Sequence, residues 1–263
     1  MFLGEVWLTM ANNLNDYVKP VSDSKMSGII KSELRKAFST SASIAITLVT
    51  LLLTVGMSIW SAVLLEAGES WYIPFKQVAS PLITISPLLI ILLVCEEWDK
   101  GSALVTFTQV PKRSRIVIAK TVVAVLIFSA SFAASLLLTL IVSVTTSSIH
   151  HFSLDWKASL SGFLTLALPL LVNMGLGLAM ALFSRSTVIS ISLYFIIPPV
   201  TVMLSQIHSI SEYAKWISLG HSSSIFVAGL TPQTYSQIVV SVIFWIVLPF
   251  ALGFVNICRR DIA

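Results

Sequence analysis

The chain alternates between long apolar stretches and short charged connections. No Asp, Glu, Lys or Arg occurs in residues 37–65, 77–95, 121–154, 158–184, 186–211 or 216–258. A helix needs about 20 apolar residues to cross the hydrocarbon layer, and each gap has room for one. The pattern predicts six transmembrane helices, near Ile44–Leu65, Val78–Val94, Thr121–Val144, Leu160–Phe183, Val188–Gln206 and Ile238–Ile257. The fold class this implies is an all-α polytopic membrane protein.

Four segments outside these spans have patterns of their own. In Ser24–Thr40, the apolar residues Met26, Ile29, Ile30, Leu34, Ala37 and Phe38 recur every three or four positions, and Lys31, Arg35 and Lys36 lie largely on the other face. That pattern predicts an amphipathic interfacial helix lying on the inner leaflet, with Glu33 among its charged residues. The alternative is a plain topology anchor.

The connection Glu96–Lys120 opens on an acidic cluster, Glu96, Glu97 and Asp99, followed by Gly101. A short apolar stretch with Leu104, Val105, Phe107 and Val110 comes next, then Pro111, Lys112, Arg113 and Arg115. Acidic residues contribute little to membrane orientation. Their clustering here points to a docking surface for another protein.

Segment His208–Gln237 carries Tyr213, Trp216 and Phe226 but is broken by Gly220 and Gly229. A pair of short helices dipping into the outer leaflet fits it better than a seventh span. The connection Thr145–Lys157, with His150, His151 and Asp155, is expected to be a solvated loop and not a metal site, because adjacent residues on a regular element point different ways.

Composition agrees with the bilayer as solvent. Of 263 residues, 56% are hydrophobic and only 11% are charged, against about a quarter in a soluble domain. The mean hydropathy is +0.92. These values exclude a soluble enzyme, a secreted disulfide scaffold and a disordered chain. Thirteen of the sixteen Lys and Arg residues fall on one side if the N-terminus is inside, leaving Lys76, Lys157 and Lys215 outside. Both termini are therefore expected to be cytoplasmic. The net charge of +4 follows from this topology and calls for no nucleic-acid partner.

Cys95 and Cys258 fall at the cytoplasmic ends of helices and are expected to be free thiols. Met1–Met10 carries Glu5 and no basic residue before its short apolar stretch, so no cleavable signal peptide is expected. The domain reading is a polar lead-in over 1–23, the interfacial helix over 24–40 and the transmembrane domain over 41–263.

No predicted span has an acid or base at its centre. An ion-coupled transporter usually places one there, at an insertion cost of roughly 2.5–3.5 kcal/mol. The energy for any transport is thus expected from elsewhere. Paired glutamates also occur in membrane-embedded CAAX-type proteases, followed by an arginine, but here Gly101 takes that place. No His stands in the partner motifs, and His208 and His221 are expected across the bilayer from Glu96. General acid–base chemistry needs its groups within hydrogen-bond reach, so an enzyme is not expected.

The order of these features resembles the permease subunits of type-2 ABC exporters, the drug and bacteriocin-immunity branch above all. The residues that carry the resemblance are SELRKAFST (Ser32–Thr40), Glu97 with Gly101, Pro111 with Ser114 and Arg115, Ala119-Lys120, Arg185-Ser186-Thr187 and Arg259-Arg260-Asp261-Ile262. It covers residues 24–263. The doubled Glu96-Glu97 and the long lead-in depart from the family pattern.

The resemblance implies two permeases, identical or paralogous, each docking one cytoplasmic ATPase that holds ATP and magnesium. It makes Glu97–Val110 the coupling helix and His208–Gln237 an external re-entrant hairpin between helices 5 and 6. Docking would involve Glu96, Glu97, Asp99, Gly101, Leu104, Phe107, Arg113 and Arg115. The interfacial helix would contribute Lys31, Glu33, Arg35 and Lys36, and the hairpin Tyr213, Trp216 and Phe226. The sequence has no GxxxxGK[ST] phosphate loop, so ATP hydrolysis is expected on a separate chain, with no cofactor bound by this one. The expected cargo is hydrophobic or amphipathic: an antimicrobial peptide, a lipid-like molecule or a drug. The expected location is the bacterial cytoplasmic membrane. The competing reading is a non-transporting immunity or sensor protein that binds its ligand without an ATPase.

Overall fold

The computed structural model describes residues 26–67, 69–102, 113–151, 153–155, 160–220 and 232–259. For residues 113, 160–166, 232–234 and 259 it describes the backbone alone. Helix α1 (Met26–Ala37) precedes α2 (Ser41–Leu64), α3 (Phe75–Asp99), α4 (Arg113–His150), α5 (Leu160–Ser184) and α6 (Thr187–Gln206). The short α7 (Ser211–Ile217) follows. The last helix is α8 (Pro232–Val242) and α9 (Leu248–Arg259), joined by a π-helical turn at Ile243–Val247. Among the described residues there is no strand, only an isolated bridge between Ser70 and Asp155.

Among the described residues six helices are long and apolar enough to cross a membrane: α2 to α6 and the last helix. This is a membrane protein with the architecture read from the charge gaps. The spans run alternately up and down. One end of the bundle, here the basic end, holds α1, the C-terminus of α3 and the N-terminus of α4.

Burial separates two central helices from the rest. The apolar stretch of α3 is 67% buried and that of α5 50%, against 22–28% for the other four. Helix α3 packs most extensively on α5 and α2. The exposed sides of α2, α4, α6 and the last helix are rows of Leu, Ile, Val, Phe and Met. Lipid tails cover such rows at no cost, so the apolar residues face outward and small residues face in.

Helix α2 buries Ser43, Thr50, Thr54, Ser58 and Ser61; α4 buries Ser131, Ser135, Thr139 and Ser143. The hydroxyls of Thr50, Thr54, Ser58, Ser135 and Thr139 each donate to the carbonyl four residues back. A small polar stripe thus packs closely against neighbours with these five donors satisfied inside their own helices, while the buried Ser61 hydroxyl has no hydrogen-bond partner among the described residues.

Glycines set the closest crossings. A Cβ on Gly177 would stand 3.0 Å from Pro87 Cβ, and one on Gly253 would stand 2.6 Å from the Leu182 carbonyl carbon. The first crossing brings α5 onto α3, the second brings α9 onto α5. Pro87 lacks an N–H, so the Ile83 carbonyl loses its helical partner. The Tyr194 hydroxyl lies 3.4 Å from Ile83 O, 3.1 Å from Thr84 O and 3.2 Å from Asn173 Oδ1. A break in α3 is thereby held from α6 and α5.

Helix α4 runs past both predicted bounds. Thr145, Ser147 and Ser148, expected in a solvated loop, are helical, and their hydroxyls are satisfied by donating back to the Ile141, Val142 and Val144 carbonyls. The helix stops at His151, whose φ is +53°. At that end the two connections pair: Trp71 N donates to Asp155 O and Asp155 N donates to Glu69 O. The Ser143 hydroxyl donates to Trp71 O at 2.6 Å, fixing the pair to α4.

Candidate functional site

The acidic run that closes α3 is where sequence and structure converge. Successive helical residues point roughly 100° apart, so four in a row face four directions. Each of the four meets a different neighbour.

Glu96 pairs with Lys100 one turn on, at the surface. Glu97 points inward and is only 8% exposed. Its Oε1 accepts from Lys36 Nζ of α1 at 2.7 Å, and its Oε2 stands 3.3 Å from Lys120 Nζ of α4. Glu33 of α1, 2% exposed, closes the ring: Lys36 Nζ is 2.7 Å from its Oε1 and Lys120 Nζ 3.0 Å from its Oε2. Two lysines and two glutamates therefore alternate around a neutral tetrad that ties α1, α3 and α4 together.

Lys120 is buried, and its directed hydrogen bond goes to the Leu93 carbonyl at 2.6 Å. Its approach to Glu33 Oε2 is Coulombic, for that oxygen has no hydrogen-bond partner among the described residues. Burial lowers the pKa of the Lys36 ammonium, but hydrogen bonds and charge from Glu33 and Glu97 outweigh it and hold the pKa above the ordinary lysine value. The proton on Lys36 is thus part of the clamp.

Trp98 lies under the Arg185 guanidinium, which is 5.4 Å from the ring centroid. Arg185 sits at the α5–α6 junction with φ +57°. Asp99 reaches the start of α6, where its Oδ2 accepts from Thr187 N at 3.1 Å. The α6 N-cap, Ser186, makes no side-chain capping bond of its own. Asp99 supplies that cap from another helix, and its charge suits the positive end of the α6 dipole. One turn deeper, Cys95 Sγ lies 3.4 Å from Ser190 Oγ, which is 2.7 Å from Ser184 Oγ. Cys95 is buried and Cys258 exposed, both as free thiols.

Helix α3 ends through Gly101, whose φ of +67° allows its N–H to turn back to Trp98 O. A left-handed residue just past a helix C-terminus is ordinarily glycine. Leu104 and Phe107 lie outside the described residues, as do the structures of 1–25 and 260–263. Arg113 and Arg115 belong to the first turn of α4 and not to a separate loop.

The structure thus divides the sequence-predicted site. Glu97, Glu33 and Lys36 meet in the tetrad, Glu97 facing inward and not toward a docking partner. Lys36, read onto the polar face of α1, turns inward as well. Lys31 and Arg35 stay exposed. At the opposite end Tyr213 is exposed and Trp216 half-buried on α7, while Phe226 lies outside the described residues. Sequence reasoning named Lys120 as a topology charge and as part of the resemblance but missed its place in the tetrad, and it missed the Asp99 cap. A carboxylate at Glu33, in the buried row with Ile29 and Ala37, was the available signal for an internal cation partner.

At the opposite end the π turn places Trp245 so that its Nε1 donates to the Ile217 carbonyl, the last of α7, at 2.7 Å. Among the described residues no group of three His, Cys, Asp or Glu is arranged to hold a metal ion. No known family model matches this chain, and no curated protein matches it.

Proposed function

We propose that this chain is the membrane-spanning permease subunit of an ATP-driven exporter whose ATPase is a separate cytoplasmic protein. The observation that carries the reading is the acidic run of α3. The loop that follows Gly101 leaves from a helix end tied to α1 and α4 through Glu97, and to α6 through Asp99. A force applied to that loop reaches three other helices within one turn of α3.

In this reading an ATPase grips the connection that follows Gly101, and residues 97–99, expected in the coupling helix, are instead the last turn of α3 that anchors it. Two permeases each dock one ATPase. The external segment between α6 and the last helix closes the outer exit, with Trp245 tying α7 to the last span; residues 232–237, expected in that hairpin, belong to the last helix. Both termini face the cytoplasm of a bacterial cell. ATP-driven closure of the ATPase pair would switch the permeases between inward- and outward-facing states. The cargo is hydrophobic or amphipathic, in keeping with spans that have no central charge.

Inside-out vesicles test this. Vesicles from cells expressing the chain and its native partners should accumulate fluorescent amphipathic peptides when ATP is supplied. Accumulation driven by an ion gradient with ATP withheld would overturn the reading.

A further inference from the structure

A groove of about 540 Å³ runs along α1, lined by Gly28, Lys31, Ser32, Arg35, Lys36 and Ser39. Its position follows from the helical wheel at roughly 100° per residue. Ile29, Glu33 and Ala37 face the protein. The exposed apolar side chains Leu34 and Phe38 come next around the helix, and Lys31 and Arg35 follow directly after them. The two cations therefore lie along the edge of the apolar face, on the flank turned away from the bundle.

Helix α1 is held at the membrane surface, because only Phe38, Ser39 and Thr40 separate it from the first residue of α2. At that level Leu34 and Phe38 have acyl chains to cover them, and the flank beside them meets headgroup phosphates.

Charge selects among occupants. Lys36 is committed to Glu33 and Glu97, and with Lys120 that tetrad is neutral. Lys31 and Arg35 have no carboxylate within ion-pair distance among the described residues. Two uncompensated cations side by side, over a floor kept low by Gly28 and Ser32, fit an anionic phosphate ester. A guanidinium can take two of its oxygens while the ammonium supplies a second charge.

We propose that this groove seats the phosphate of an anionic phospholipid, with Arg35 gripping the phosphate oxygens, Lys31 beside it, and the acyl chains running past Leu34 and Phe38. The site is independent of any ATPase, since it needs only α1 at the membrane surface.

The experiment titrates the purified full-length chain in mild detergent with short-chain phosphatidylglycerol, short-chain phosphatidylcholine and inorganic phosphate, reading bound ligand by native mass spectrometry. Phosphatidylglycerol should bind in preference to phosphatidylcholine. The doubly substituted Lys31→Gln, Arg35→Gln chain should bind it roughly 10- to 30-fold more weakly, as expected for two juxtamembrane cations. Lys215→Gln, at the other end of the bundle, should leave it unchanged, and Lys31→Arg should retain it. Both side chains are exposed, so the double variant should unfold at the wild-type temperature.

Equal binding of phosphatidylglycerol by wild type and double variant would overturn the proposal. Inorganic phosphate displacing the lipid at equal concentration would make the groove a free-phosphate site. Loss of a co-purifying protein, with lipid binding intact, would make it a protein-docking surface. Either result removes the lipid site.

Discussion

Lys36 and Glu97 stand 61 residues apart in the chain, yet their side chains meet at 2.7 Å. One lies on a helix outside the spans, the other in the last turn of a span. Lys120 and Glu33 complete the same ring from α4 and α1. The contact makes α1 part of the transmembrane bundle and not a loose surface anchor.

Removing one member of a buried charge group leaves its partners uncompensated, which typically costs about 3–5 kcal/mol. Lys120→Met should destabilise the protein by that order, measured as thermal unfolding in detergent. Adding Glu97→Gln restores neutrality with Lys36 and Glu33, so the double variant should recover part of the loss, with a coupling of about 0.5–3 kcal/mol. Strictly additive losses would show that the tetrad does not act as a unit.

The raised pKa of Lys36 fixes a sign. A lysine whose folded pKa exceeds its unfolded value contributes stability that is fully present below the unfolded pKa and lost as pH rises through the folded one. The anchoring of α1 should thus be steady through neutral pH and weaken only above about pH 10.4. Thermal midpoints against pH should show this alkaline loss in the wild type and a smaller one in Lys36→Met. Half of Lys36 is open to solvent, so high salt should soften the effect.

Gly253 and Gly175 should respond differently to the same substitution. A Cβ at Gly253 meets backbone atoms of Leu182 and Phe183 at 2.6–2.9 Å, whereas one at Gly175 meets the side chain of Ile246 at 3.3 Å. Backbone cannot yield by rotamer change, so Gly253→Ala should cost about 1–3 kcal/mol or more. Gly175→Ala should cost less than about 1 kcal/mol, because a flexible side chain can shift. Unfolding midpoints of the two variants compare them directly.

Tyr194→Phe should cost about 1–2 kcal/mol by removing the donor beside the Ile83 and Thr84 carbonyls. Pro87→Ala returns an N–H to α3 and gives Ile83 O its helical partner. In that background Tyr194→Phe should cost less, and an unchanged cost would separate the tyrosine from the proline break.

The spans were legible because charge cannot be left in hydrocarbon: the gaps in Asp, Glu, Lys and Arg predict six helices, and six are long and apolar enough. Gly175 and Gly177 stand two apart and so face different sides of α5, toward Ile246 and Pro87, which a pair of small residues in a sequence does not reveal. Gly253 was not singled out, for its partner backbone at Leu182 is 71 positions away in the numbering. The end of α4 was misplaced because Thr145–His150 is polar in composition, while its hydroxyls bond within the helix. The acidic run drew attention at once. Its partners Lys36, Lys120, Arg185 and Thr187 depend on which helices pack together, and a single sequence carries no record of that.

The most direct test of the exporter reading is purification of the tagged chain from its native host in mild detergent, with mass spectrometry of its partners. The account predicts recovery of a soluble ATPase with a phosphate-binding loop. Gly101→Pro should lose it while the protein stays inserted, because proline cannot adopt the φ of +67° found there. A correctly folded chain that brings down no ATPase would contradict the account and favour a membrane protein that binds its ligand without moving it.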